Sequence, residues 1–307
     1  HPPRILIVRM PDSSPEQAAL LASYAKNPDL LIARGKKKLC ERKLVDFMES
    51  YWPILHPGQG PMKRGWALEA ICDHLEAVTA GHIQLLLIDV PPGFSKSMAT
   101  NVFWPAWEWG PRRMPWLQYL SAAYTDTLTQ RDNERARTLM GSREYVANWG
   151  DVFCFGKEDS EDPRISRDSK ATKVDGRVKF MNNWRGSKEA TSVKGMSTGG
   201  RGDRLICDDP HSVMTAESDA VRTDTLKWYL EAWSNRTNDT RSAFIVIMQR
   251  VHELDVAAAC IELGYTHLCI PMMFEDDHPH RWFGGGYIAH APVRAKVEEI
   301  EVAAVEA

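Results

Sequence analysis

The chain has 307 residues, of which 43% are hydrophobic and 26% charged, and its formal net charge is -3. That length supports one large α/β domain or two small ones, with the composition of a globular protein. No apolar run approaches the roughly 20 residues needed to cross a bilayer, and the small negative charge gives no overall attraction to nucleic acid, so any DNA contact must come from a local patch or a partner subunit.

The N-terminus lacks a basic segment followed by a long apolar run, so no secretory signal is expected and a cytosolic location is. Residues 14–26 and 36–51 carry apolar residues at helical spacing, and Pro53 with HPGQGP at 56–61 closes this segment. A third helix is expected from Arg64 to Thr79, because Leu68, Ile71, Cys72, Leu75 and Val78 form one stripe and Gly81 stands where a stop belongs. The period then changes. HIQLLLIDV at 82–90 is a continuous apolar run of the kind found in a buried parallel strand, and it leads into PPGFSKS at 91–97.

After that loop, MATNVFWPAWEWG predicts a helix ending near Gly110, WLQYLSAAY at 116–124 a strand, and residues 126–140 a charged helix. KVDGRVKFMNN has a hairpin signal at Asp175-Gly176. RLICDDP at 204–210 predicts a strand ending in two carboxylates, followed by a helix with Leu226, Tyr229, Leu230 and Trp233 on one face. SAFIVIMQ at 242–249 is a further buried strand, 255–263 a short helix and THLCI at 266–270 a last strand. The alternation predicts an α/β fold, a mainly parallel sheet with helices on both faces and ligands at the carboxyl ends of the strands.

A bound triphosphate needs backbone N–H groups directed at its oxygens, a cation near the β and γ phosphates and a hydroxyl for magnesium. Lys96 and Ser97 supply the last two. The match to Gly-x-x-x-x-Gly-Lys-Ser/Thr is partial: Val90 and Ser95 stand at the two glycine positions, and Gly93 is the one glycine present. Its place between an apolar strand and a helix suits phosphate binding; an ordinary Pro-Pro-Gly turn with a surface lysine is the other reading. A magnesium-dependent hydrolase also needs a carboxylate at a neighbouring strand tip and a second one to orient or deprotonate water. Asp208 and Asp209 provide both, Asp208 for magnesium and Asp209 for the nucleophile, unless they form a plain Asp-Asp-Pro turn. One strand later, Gln249 stands where a side chain either senses the γ-phosphate or faces water.

In order, VPPGFSKS, WPAWEWG, YTDTLTQRDNERAR, GMSTGGRGDRLICDDP and MQRVHELD resemble the large terminase subunit of tailed bacteriophages, over about residues 44–275. The resemblance implies an ATPase motor of the additional-strand P-loop type that uses ATP and Mg2+ to push double-stranded DNA into a prohead. It implies a portal protein and a small terminase subunit as partners, a ring of identical chains, and a location in the host cytoplasm. It places the phosphate-binding role on Pro91, Pro92, Gly93, Phe94, Ser95, Lys96 and Ser97, the metal role on Ser97 and Asp208, the catalytic acid on Asp209 and the coupling role near Gln249. Two departures bear on turnover more than on binding: Asp209 replaces the usual glutamate, and Ser95 the usual glycine. Such motors need an arginine for charge developing on the γ-phosphate; Arg131 and Arg135, at i and i+4 on the charged helix, are the candidates, with a solvated surface paired to Asp132 and Glu134 as the alternative.

The resulting organisation is a helical N-terminal segment over 1–61 packed on the motor, an ATPase domain over 62–275 and a tail over 276–307. The family's usual nuclease domain is not expected, since too few residues follow Phe274, and Glu275, Asp276 and Asp277 read as a solvated turn. Arg201 and Arg204 flank a glycine-rich stretch that either approaches phosphate or DNA or simply connects. The six cysteines form no Cys-x-x-Cys pair, which points to reduced thiols. Trp104, Trp107, Trp109, Trp228 and Trp233 fall on helices and are read as packing residues; the basic cluster Arg34, Lys36, Lys37, Lys38, Arg42 and Lys43 is read as a solvated face. Two other functions fit the nucleotide motifs, a helicase-like ATPase and a nucleotide-binding assembly module with negligible turnover.

Overall fold

A computed structural model describes residues 28–155, 176–193, 195 and 200–271, and the short strands 281–282 and 286–287. The expected helix at 14–26, Asp175, the acidic turn at 275–277 and the end of the tail lie outside the described residues. The chain divides into two compact units, residues 1–39 and 40–307. In the first, the described part belongs to helix α1 (Pro28–Arg42), on which Arg34, Lys36 and Lys38 are exposed.

In the second unit, α2 (Leu44–Leu55) buries Leu44, Phe47, Met48 and Tyr51, one face at three- and four-residue spacing. One helix running through residues 36–51 was the expectation. The structure breaks it at Lys43, whose backbone is extended (φ -123). The break is held from α3 (Trp66–Thr79): Glu76 accepts the Leu44 N–H at 2.7 Å, and Lys43 pairs with Asp73 and Glu76. Lys43 is therefore committed to a structural contact.

Strands β1 (Leu85–Asp89), β2 (Gln118–Ala123), β3 (Lys179–Met181), β4 (Ser187–Ser192), β5 (Arg204–Asp208), β6 (Ala243–Met248) and β7 (Thr266–Cys269) form one sheet in the order β3-β4-β2-β5-β6-β1-β7. All neighbours are parallel except β3 and β4. Strand β1, which precedes the expected phosphate loop, and β5, which ends at the two aspartates, are thus separated by one inserted strand, β6, the order expected of an additional-strand P-loop fold. Side chains alternate across the sheet. Ile88, Tyr119, Ile206 and Ile247 enter the core beneath α2, α3 and the helix after the phosphate loop, whereas Leu87, Leu120, Cys207 and Val246 enter a second core with Tyr229, Trp233 and Cys260.

The helix after the phosphate loop opens as a π-helical turn, Met98–Phe103, and continues as α4 (Trp104–Trp109). Trp104, Trp107 and Trp109 are core residues, and each indole N–H is satisfied, by Thr79, Cys40 and Leu117 respectively. Helix α5 (Asp126–Gly141) covers β2 and β4, and α6 (Arg143–Trp149) follows it.

The hairpin turn between β3 and β4 lies at Asn182–Gly186, where the Asn182 side chain accepts the N–H groups of Trp184 and Gly186; the expected turn at Asp175-Gly176 falls partly outside the described residues. Two expectations need correction. Leu230 is exposed, on the π-helical turn Trp228–Trp233 that follows α7 (Asp219–Lys227), whereas Tyr229 and Trp233 of the same turn are buried. Arg204 is not available to a phosphate. It is buried at the amino end of β5 and bonded to Glu108 at 2.9 Å, while Tyr119 donates to the same carboxylate. Arg201 also lies at that end, bonded to the Thr237 carbonyl. Helix α8 (Val256–Glu262) is capped by Asp255, and β8 (Arg281–Trp282) pairs with β9 (Gly286–Tyr287) where the sequence suggested only tail.

Candidate nucleotide site at the strand tips

Parallel strands bring their carboxyl ends to one edge of the sheet, and there β1, β5 and β6 place Lys96, Asp208, Asp209 and Gln249 together. The Lys96 ammonium lies 3.0 Å from Oδ1 and 2.9 Å from Oδ2 of Asp209. Asp209 Oδ1 also accepts the backbone N–H of Gln249 at 3.0 Å. One carboxylate oxygen thus touches both the phosphate loop and the tip of β6.

The loop backbone is left-handed at two residues, of which Ser95 stands at a glycine position of the pattern. Gly93 has φ 94 and Ser95 has φ 56, both in the left-handed region. Ser95 therefore carries the conformational strain that a glycine would avoid. Asp209 is also left-handed at φ 42, a conformation aspartate tolerates better than most residues. Ser95→Gly is expected to stabilise the chain by about 1 kcal/mol, measured by urea unfolding. An unchanged or lowered midpoint would count against strain at this position.

Asp208 is buried. Its Oδ2 accepts from Asn101 Nδ2 at 3.0 Å, whereas Oδ1 has no hydrogen-bond partner within the protein. Burial, then the neighbouring charge of Asp209, pushes this carboxyl well above the usual carboxylate range, while the Ser97 side chain pulls it partly back. An orphaned buried carboxylate oxygen beside a serine suits a divalent cation, which would supply the missing charge. Among the described residues no cluster of three or more His, Cys, Asp or Glu side chains forms a metal cage. Magnesium is commonly held by one or two carboxylates with phosphate oxygens and water, and Asp208 beside Ser97 offers donors of that kind.

Arg131 and Arg135 both reach the buried carboxylate of Asp132, at 3.1 and 3.5 Å, and Arg135 lies 3.6 Å from the sulfur of Met98, the residue after Ser97. Glu134 instead pairs with Arg177. Both arginines are thus anchored by one inward carboxylate, and Arg135 also reaches the residue that follows Ser97. Behind Asp132 lies a fully buried lysine, Lys188 on β4, bonded to Ser121 at 3.2 Å and Asn133 at 2.8 Å. Burial lowers it to about 8, against the opposing charges of Asp132 and Asp208.

No protein-family model and no curated protein sequence matches the chain. Among solved structures, the chain is similar to the crystal structure of the HK97 bacteriophage large terminase. The two superpose with a TM-score of 0.44 at 12% sequence identity, over 85% of this chain and 51% of that one. The chain spans about half the length of that protein.

Sequence reasoning missed Asn101, Lys188 and the pair of Asp89, at the end of β1, with His267 of β7, 2.8 Å apart. Asp89 was hidden inside an apolar run, where it ends the strand just before the loop. Lys188 lies in SKEATS, a polar segment with no strand signature, because its burial comes from α5 rather than from its own neighbours. Asn101 carried one usable signal: it stands four residues after Ser97, hence on the same helix face.

Proposed function

We propose that the chain is the ATP-hydrolysing motor domain of a phage DNA-packaging terminase, which uses magnesium and ATP to move double-stranded DNA into a prohead. The observation that carries the nucleotide reading is the meeting of Lys96 with Asp209, beside Asp208, across an inserted strand. The finer parts of the proposal, namely DNA, portal protein, small terminase subunit and a ring of identical chains, rest on the ordered series of motifs along the sequence.

In this reading, Lys96 exchanges Asp209 for the β- and γ-phosphate oxygens when nucleotide enters. Asp209, released from the ammonium, is then free to orient the attacking water and accept its proton. Asp208 and Ser97 hold the magnesium ion, which when bound neutralises charge on the phosphates. Because Asp209 Oδ1 also holds the Gln249 N–H, a change of partner at the phosphate loop reaches the tip of β6 through the backbone of Gln249. Arg135, beside Met98, is the nearer of the two arginines to the loop and the better placed to meet phosphate from within the same chain.

Equilibrium ATP binding and phosphate release, compared between the wild type and Lys96→Ala, test the proposal. Loss of the ammonium is expected to weaken binding at least about tenfold, as for a charged hydrogen bond worth roughly 1.5–3 kcal/mol, and to bring hydrolysis to background. Binding by both without turnover by either would favour the assembly module.

A further inference from the structure

Ser97 and Asn101 occupy successive turns on one face of the helix that follows the phosphate loop, and both are directed at the same carboxylate. Asn101 is 1% exposed, and its amide donates to Asp208 Oδ2 at 3.0 Å. A carboxylate only accepts, so the amide nitrogen must be the group that faces it. Asp208 Oδ1 and Asn101 Oδ1 are both buried without hydrogen-bond partners. One oxygen of Asp208 is thus committed to the protein and the other is not.

We propose that Asn101 is a positioning residue for the divalent cation: by occupying Oδ2 it fixes the carboxylate plane and leaves Oδ1 as the oxygen that binds metal. The π-helical turn Met98–Phe103 places this donor within the sheet-facing surface of the helix, at a point where such turns frequently serve function. Loss of a group that orients a metal-binding carboxylate typically costs about 10–100-fold in metal affinity. The inference rests on the nucleotide-site reading above. It goes beyond that reading by dividing the work of Asp208 between its two oxygens and assigning one of them to a residue outside the phosphate loop.

The test is equilibrium binding of a fluorescent ATP analogue to the full chain, titrated with magnesium chloride and repeated in EDTA, with thermal unfolding as the check on folding. Asn101→Leu, alike in branching though larger and unable to donate, is expected to leave binding in EDTA within about twofold of wild type and to raise the magnesium needed for half-saturation by about 10–100-fold. Should the leucine variant fail to fold, Asn101→Ala decides by the same readout. In the control, Asp208→Asn removes the magnesium dependence, and Asn101→Leu added to it has no further effect, since the two act as a unit. A folded Asn101 variant with wild-type magnesium dependence, beside an Asp208→Asn that has lost it, overturns the role of Asn101 and leaves the site reading intact. An Asp208→Asn variant that keeps wild-type magnesium dependence overturns both.

Discussion

Asp209→Asn is expected to abolish ATP hydrolysis, lowering turnover by about 10²–10⁴-fold, the usual contribution of a positioned general base, while nucleotide binding is kept and tightens severalfold. Asp209 holds Lys96 through both oxygens, at 3.0 and 2.9 Å, and only 9% of the lysine side chain is exposed. An incoming phosphate must therefore take the ammonium from a competing carboxylate. An amide in its place carries no charge and competes poorly. Phosphate release and the dissociation constant of an ATP analogue, measured on the same preparation, separate the two effects. A variant that loses binding along with turnover would show that β5 has been assigned the wrong role.

Glu108→Ala is expected to destabilise the chain by about 3–5 kcal/mol, because it leaves a buried guanidinium without its partner. Glu108 is fully buried, Arg204 is bonded to both of its oxygens, and Tyr119 donates to it from β2. The Arg204 guanidinium also lies over the ring of Trp104, 5.7 Å from its centroid. The pair stands at the amino ends of β2 and β5, away from the strand tips, so nucleotide affinity is expected to stay unchanged in the folded fraction. Urea unfolding supplies the measurement, and the double variant Glu108→Leu with Arg204→Met is expected to recover most of the loss, since a matched apolar pair replaces the charges. A loss below about 1 kcal/mol in the single variant would place the pair among weak surface-type contacts.

Much of the sheet was legible because its central strands are apolar runs of residue types that cannot stay in water. LLLID, RLICD and AFIVIM are observed as β1, β5 and β6 with boundaries a few residues inside those expected. The tryptophans of WPAWEWG are packed in the core, as expected for aromatics on a helix between two apolar strands. Polar segments were harder. β4 is buried through Lys188, Ala190 and Ser192, a pattern that no period reveals until α5 lies over it. The two π-helical turns also escaped, since nothing in MATNVF or WYLEAW distinguishes a five-residue hydrogen-bond span from a four-residue one.

Local order of residues determined which chemistry arrives at which strand end: a lysine and serine after β1, two aspartates at the end of β5, a glutamine after β6. It also determined where the loop needs unusual backbone, since Gly93 and Ser95 stand at the left-handed positions. What only the tertiary structure decided was how the partners are divided. Two adjacent aspartates of equal chemistry received different neighbours, Asp209 taking Lys96 and the Gln249 N–H, Asp208 taking Asn101. The physical reason is that β5 ends at Asp208 and the backbone turns left-handed at Asp209 (φ 42), so the two side chains leave the strand tip in different directions, and elements far apart in the chain supply what each one meets.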